Sequence, residues 1–127
     1  MTVVCLVGDE PELHSDTIEE GASPLIIVTG NYQVPPNQRD RFMGSKREQA
    51  ERTRHEAGCL EYAFSADAEQ PGLVRLIELW KSMDDLKAHL QGLASDPQQG
   101  QSVEPGVEVV SSTFAVFEAE QADVPSH

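Results

Sequence analysis

The chain has 127 residues, enough for one domain that buries most of the surface of its unfolded form without a metal or a disulfide framework. Its formal net charge is −13, and residues 1–24 and 91–127 contain acidic residues but neither Lys nor Arg. Acidic ends gain nothing from the release of counterions, so nucleic acid and anionic membranes are disfavoured as partners.

The two cysteines, Cys5 and Cys59, lie far apart in the sequence and match neither a disulfide framework nor a metal-binding pattern. No apolar run is long enough to span a membrane, and the apolar start lacks the basic residues of a signal peptide. We therefore expect a protein of the reducing cytoplasm, with no nucleic-acid or membrane partner.

The first 24 residues predict an acidic N-terminal extension, in which residues 3–7 are the candidate for a short edge strand. The apolar run at residues 25–28 then begins a strand. Asn37 follows two prolines and precedes Asp40 by three residues, which predicts a helix start. We expect this helix to continue to about Ala57, with Lys46 on its polar face, and to end at a left-handed Gly58.

Two strands and a second helix follow. Leu60, Tyr62 and Phe64 alternate on the second strand, and a turn at residues 69–72 leads to a third strand that ends near Trp80. Ser82 and Asp85 have the spacing of a capping box. The helix after it has an apolar stripe, formed by Met83, Leu86, Leu90 and Leu93, and His89 lies at the margin of that stripe. Residues 95–106 are polar, and residues 107–117 form the last strand.

The order strand, helix, strand, strand, helix, strand predicts an α+β ferredoxin-like plait, with a four-stranded antiparallel sheet and two helices on one face. We place this domain at residues 25–119, followed by a tail at residues 120–127. The strands have apolar residues on both faces, for example Ile26 and Ile27. An exposed apolar sheet face predicts a homodimer in which two sheets pack face to face.

Three runs resemble the antibiotic biosynthesis monooxygenase (ABM) family in their order and spacing: residues 28–36 (VTGNYQVPP), 56–62 (EAGCLEY) and 78–89 (ELWKSMDDLKAH). The family pairs a Glu and an aromatic residue on a strand with a His near the end of the next helix. The resemblance covers about residues 25–119. It implies the dimeric α+β barrel formed by two ferredoxin-like domains.

The resemblance also implies the oxidation of a small hydroxylated aromatic, a quinol or an anthrone, by dioxygen without flavin, haem or metal. Such a substrate donates the first electron itself once it has lost a proton, so the protein removes the proton and holds the anion. His89 is the candidate base, since histidine titrates near neutral pH. Asn31 is the candidate amide donor to the substrate oxygen. Trp80 would form an apolar wall, Glu78 would orient the base or a substrate hydroxyl, and Tyr62 is a further donor.

Each candidate residue also has a purely structural interpretation. In this interpretation, His89 at the stripe margin would be an ordinary partly buried side chain, and Trp80 would be a core residue. Glu78 would pair with a base on a helix, and Asn31 would satisfy backbone groups beside Gly30. The histidines have no metal-ligand spacing with one another.

Two other activities and one non-catalytic role complete the alternatives. Haem-degrading members of the superfamily use a Trp on the second helix and a His about ten residues later. Those positions fall at His89 and within residues 97–100 here, which disfavours haem degradation. A small-molecule isomerase or signal-degrading enzyme, and a non-catalytic ligand-binding or dimerisation module, remain open.

Overall fold

The computed structural model describes residues 24–95 and 106–125. The predicted N-terminal edge strand lies outside these residues. The order of the elements is β1 (Leu25–Gln33), a short 3₁₀ helix (Pro36–Gln38), α1 (Arg39–Thr53), β2 (Cys59–Ala66), β3 (Leu73–Trp80), α2 (Met83–Ser95) and β4 (Ser111–Ala119). The four strands form one antiparallel sheet in the order β2-β3-β1-β4. This is the predicted α+β ferredoxin-like fold.

The register of the sheet determines which side chains face the helices. Val28 of β1 lies opposite Glu78 of β3 and Val116 of β4, and Tyr62 of β2 lies opposite Glu78. Because side chains alternate along a strand, these positions share one face. The main core cluster lies between this face and the helices and consists of Ile26, Val28, Ala50, Tyr62, Leu76, Trp80 and Leu86.

The first helix begins and ends at other residues than the sequence predicted. The turn at residues 36–38 is 3₁₀, and α1 ends at Thr53 rather than near Ala57. The amides of His55 and Glu56 bond to carbonyls three residues back, at 3.1 and 2.9 Å, which closes the helix in a tight turn. Gly58 has a positive φ of 81°, as a left-handed residue should. It lies at the end of the loop before β2, however, and not at the end of α1.

The second helix starts at the predicted cap. The Asp85 amide donates to Ser82 Oγ at 3.1 Å, which confirms the hydroxyl half of the capping box. The Asp85 carboxylate, however, accepts the Ser82 hydroxyl at 2.9 Å. His89 is only 3% exposed, so its predicted marginal position is corrected to a buried one. None of the helices described is long and apolar enough to cross a membrane.

The edge strands differ from the prediction in detail. In β2, a bulge between Cys59 and Glu61 leaves Leu60 exposed, while Tyr62 is buried. The last strand begins at Ser111 and not at residue 107. Val107 and Val109 precede it because they pack against a second core cluster of Val34, Phe42 and Val74.

Candidate functional site

A cavity of about 340 Å³ lies between the helix-covered face of the sheet and the two helices. This volume is near the lower end of the roughly 300–1,000 Å³ range of small-molecule sites. Its apolar walls come from Val28, Leu76, Leu86, Leu90, Leu93, Phe114 and Val116, and its polar and titratable lining residues are Tyr32, Lys46, Gln49, Tyr62, Glu78 and His89. A mostly apolar cavity with a few polar groups is typical of a binding site for a small organic molecule.

His89 is placed in the cavity wall by α2 and oriented by the loop after α1. Its Nδ1 lies 2.8 Å from Glu56 Oε1. An ionised carboxylate only accepts hydrogen bonds, so Nδ1 carries the proton and Nε2 is the acceptor of the neutral ring. Within residues 24–95 and 106–125, no group forms a hydrogen bond with Nε2. The arrangement leaves a basic nitrogen on a cavity-lining residue.

Aromatic rings pack against His89 on two sides. The Trp80 ring centroid is 4.9 Å from that of His89, and the Tyr62 ring is 5.6 Å away. Trp80 is completely buried and does not line the cavity. It packs against His89 and donates its indole hydrogen bond to Glu78, and it does not face the cavity as the predicted wall would.

Glu78 is a buried carboxyl group on β3. The Trp80 indole donates to its Oε1 at 2.9 Å. Burial raises the pKa of Glu78, and the indole hydrogen bond and the nearby His89 offset part of that rise. The Glu78 carboxyl group therefore binds a proton at higher pH than an exposed glutamate does.

Lys46, Gln49 and Tyr62 form a row of hydrogen bonds. Lys46 Nζ donates to Gln49 Oε1 at 3.5 Å, and Gln49 Nε2 donates to the Tyr62 hydroxyl at 3.0 Å. Burial lowers the pKa of Lys46, and burial together with the Glu78 charge raises the pKa of Tyr62. Burial also raises the pKa of Tyr32, on the adjacent strand, to about 12. Both phenols are therefore neutral donors at physiological pH.

The structure separates the five predicted site residues. His89, Glu78 and Tyr62 line one cavity, and Trp80 packs behind them. Asn31 lies on the opposite face of the sheet, because it is an odd number of residues from Val28 on the same regular strand. Its amide is 3.5 Å from Thr113 Oγ1, beside a polar depression on that face.

Three functional candidates were not predicted from the sequence. The sequence predicts Lys46 on the polar face of α1, but the structure buries it. Phe42, Lys46, Gln49 and Thr53 follow one another at spacings of four, three and four, so helical periodicity alone would have found Lys46 and Gln49. Glu56 lies in a loop, and no pattern in the sequence indicates that it contacts His89.

Among the residues that the structure describes, no group of three His, Cys, Asp or Glu side chains is positioned to hold a metal ion.

Comparison with known proteins gives a family match. The model of the antibiotic biosynthesis monooxygenase family matches residues 25–96, more than half of the chain. An uncharacterized protein from Synechocystis is 31% identical over 81 residues, which are 64% of this chain and 54% of the relative. The chain thus spans about half the length of that relative.

Solved structures share the fold at low sequence identity. A Deinococcus radiodurans protein named for this family has a TM-score of 0.65 and 23% identity, over 80% of this chain and 99% of that one. The haem-degrader MhuD of Mycobacterium tuberculosis, solved with two haems in its active site, has a TM-score of 0.61 and 16% identity, over 79% and 99% of the chains. At these identities the likeness shows the fold alone.

Proposed function

The chain belongs to the antibiotic biosynthesis monooxygenase family, and from this premise we propose that it oxidises a small hydroxylated aromatic, a quinol or an anthrone, with dioxygen and without a cofactor. The observation that carries the proposal is the His89 and Glu56 pair at the cavity. The pair presents an imidazole nitrogen without a partner among the described residues to a site of small-molecule size.

The first step is removal of a proton from the substrate by His89 Nε2. Glu56 accepts the hydrogen bond from Nδ1–H and stabilises the imidazolium that forms. The substrate anion then transfers one electron to dioxygen, and the resulting radical and superoxide combine to a peroxide. In the anthrone case a CH₂ carbon becomes a carbonyl. One oxygen atom of dioxygen enters the product, and the other leaves as water with the two hydrogens.

The other residues of the cavity have supporting roles. Tyr62 donates a hydrogen bond to the substrate oxygen, and Glu78 accepts one from a second substrate hydroxyl. Trp80 fixes both Glu78, through its indole, and His89, through ring packing. The apolar lining from α2 and β4 contacts the ring of the substrate.

We also propose a homodimer formed through the face of the sheet that the helices do not cover. Leu25, Ile27, Ile77, Leu79 and Phe117 share this face by the register of β1, β3 and β4. Ile77 and Phe117 are 36% and 39% exposed. A second copy of the same sheet would cover this apolar area.

Oxygen uptake by the purified, metal-free protein tests the activity. A panel of hydroquinones and anthrones is measured against autoxidation, with wild type and His89→Ala compared at equal folded concentration. We expect the variant to lose about a hundredfold in turnover, the usual contribution of a positioned base. Because His89 is buried, circular dichroism must confirm that the variant folds. His55→Ala, at an exposed position after α1, is the matched control and should keep wild-type turnover.

Substrate ionisation sharpens this test. A substrate whose hydroxyl is already ionised has no proton to lose, so His89→Ala should affect its turnover little. Equal turnover of wild type and His89→Ala on every protonated substrate would contradict the role of His89. Uptake no faster than autoxidation across the panel would contradict the monooxygenase activity itself.

A further inference from the structure

Lys46 is a buried cation in the cavity that the proposed proton transfer does not use. We propose that Lys46 and Tyr62, linked by Gln49, form a binding site for the ionised hydroxyl of an aromatic ligand, a phenolate. The inference rests on the proposed function in that it names the group that holds the anion left when His89 takes a proton. It assigns to Lys46 and Tyr62 the role that the sequence had suggested for Asn31.

The burial of Lys46 is the first argument. The residue is 5% exposed, and no carboxylate in the described part of the chain lies within ion-pair distance of its Nζ. Its one hydrogen bond to a described residue, Gln49, is long at 3.5 Å. An ammonium has three donors, so this cation is left with unused donors in a place where burial is costly.

Aromatic rings compensate the charge only in part. Lys46 Nζ lies 5.7 Å from the centre of the Phe42 ring and 6.0 Å from that of Phe64. These distances are near the roughly 6 Å limit of cation–π attraction. The rings hold the lysine stem in place, while no anion among the described residues pairs with the charge itself. A ligand that supplies an anion would gain an ion pair with Lys46 and hydrogen bonds from the unused donors of its ammonium.

The direction of the hydrogen bonds is the second argument. An ammonium cannot accept, so Gln49 must turn its carbonyl oxygen to Lys46 and its amide nitrogen to Tyr62. The Tyr62 hydroxyl therefore accepts from Gln49, and its own proton is free to be donated. No acceptor for that proton exists among the described residues. The positive end of the row polarises the Tyr62 hydroxyl and makes it a stronger donor to an anion.

The charges around the cavity favour one anionic oxygen and not several. Among the described residues that line it, Lys46 is the single Lys or Arg side chain, and Glu78 is the single carboxyl group. Tyr32, Tyr62 and His89 are the other titratable groups there. When Glu78 is protonated, one phenolate balances the Lys46 ammonium, whereas a phosphate dianion would exceed it.

The ligand 4-nitrophenol provides a test without oxidation, because its ionised and neutral forms absorb at different wavelengths. Titration into the anaerobic wild-type protein should shift the bound probe toward its ionised form. Lys46→Met should weaken binding of that form about tenfold to a hundredfold, the loss expected for a hydrogen-bonded charge. Tyr62→Phe removes only the hydroxyl and should weaken it as well.

Two controls make the result specific. Lys87→Met removes the same charge from the exposed surface of α2 and should leave binding unchanged. The methyl ether 4-nitroanisole cannot ionise, so its affinity should not fall in either cavity variant. Thermal unfolding checks folding, and we expect Lys46→Met to melt no lower than wild type, since it removes a buried charge.

The outcomes separate this inference from the proposed function. If Lys46→Met and Tyr62→Phe bind the ionised probe as tightly as wild type, or if wild type prefers the neutral form, the anion site is wrong even if His89-dependent oxygen uptake is found. If the phenolate preference depends on Lys46 but no substrate drives oxygen uptake, the anion site stands and the monooxygenase proposal fails.

Discussion

Glu78 is a carboxyl group whose ionisation is linked to folding. Its folded-state pKa is raised, mainly by burial, so the folded protein binds this proton more tightly than the unfolded chain does. The stability due to that proton is fully present below the unfolded pKa. It is lost as the pH rises through the folded pKa.

Glu78→Gln should therefore change the pH profile of stability. The glutamine carbonyl can still accept the Trp80 indole hydrogen bond, but the side chain never ionises. We expect the variant to match wild type at about pH 4 and to become more stable than wild type as the pH rises to about 8. Urea unfolding over this range measures the difference. Glu61→Gln, at an exposed position, should show no such trend, and an advantage of Glu78→Gln that shrinks with rising pH would contradict the prediction.

Single residues differ in how far the sequence predicts them. The strand and helix periods predict the positions of Glu78 and His89, and the family resemblance implies their roles; in the structure both line one cavity with Tyr62. Glu56 was not found, because its contact with His89 joins positions 33 residues apart through a loop. The charge of Lys46 predicts a polar face, but its helical position places it on the buried side with Phe42 and Gln49. Asn31 was assigned by resemblance, although the period of two already separates it from Val28 and Tyr32.

The loop after α1 is the element that sets the geometry of the site. It carries Glu56, and the carbonyl of Gly58 accepts the Lys81 amide at 2.9 Å just before α2. Gly58 has a positive φ, and a Cβ there would collide with the Asp85 carboxylate. The absence of a side chain thus lets the loop pack against the start of the helix that carries His89.

Gly58→Ala should destabilise the protein by more than about 1 kcal/mol, since alanine strains the left-handed backbone and meets Asp85 as well. Gly44→Ala is a matched control of opposite sign. Gly44 lies inside α1 with open space where a Cβ would be, so alanine there should stabilise by about 0.5–1 kcal/mol. Urea unfolding distinguishes the two variants. A neutral Gly58→Ala would show that the loop adapts easily and does not hold Glu56.

Element order was predictable because strand and helix periods differ and each change of period is marked by a turn or cap. The residues at which elements begin and end were less predictable. Residues 107–110 alternate like a strand, yet Val107 and Val109 pack on the second core cluster around Phe42, and the strand begins only at Ser111. Tertiary packing decided this boundary, and local propensity does not contain that information.

At the scale of the whole molecule, the two faces of the sheet have different tasks. One face is covered by α1 and α2 and forms the cavity. The other is divided into an apolar part with Ile77 and Phe117 and a polar part with Asn31 and Arg75, which line a depression beside β4. Isolated exposed apolar residues need no partner, but a contiguous group on a flat sheet is typical of an interface.

Ile77→Lys tests whether this apolar face is the dimer interface. In the proposed dimer the lysine would bury a charge without a partner between two sheets, at a cost large enough to disrupt association. In a monomer it would point into water and change little. We expect wild type to sediment as a dimer at micromolar concentration and Ile77→Lys as a folded monomer. Val124→Lys, at an exposed residue after β4, makes the same change of charge and should remain dimeric. A wild-type monomer, or a dimer that tolerates Ile77→Lys, would show that the uncovered face does not join two copies of the chain.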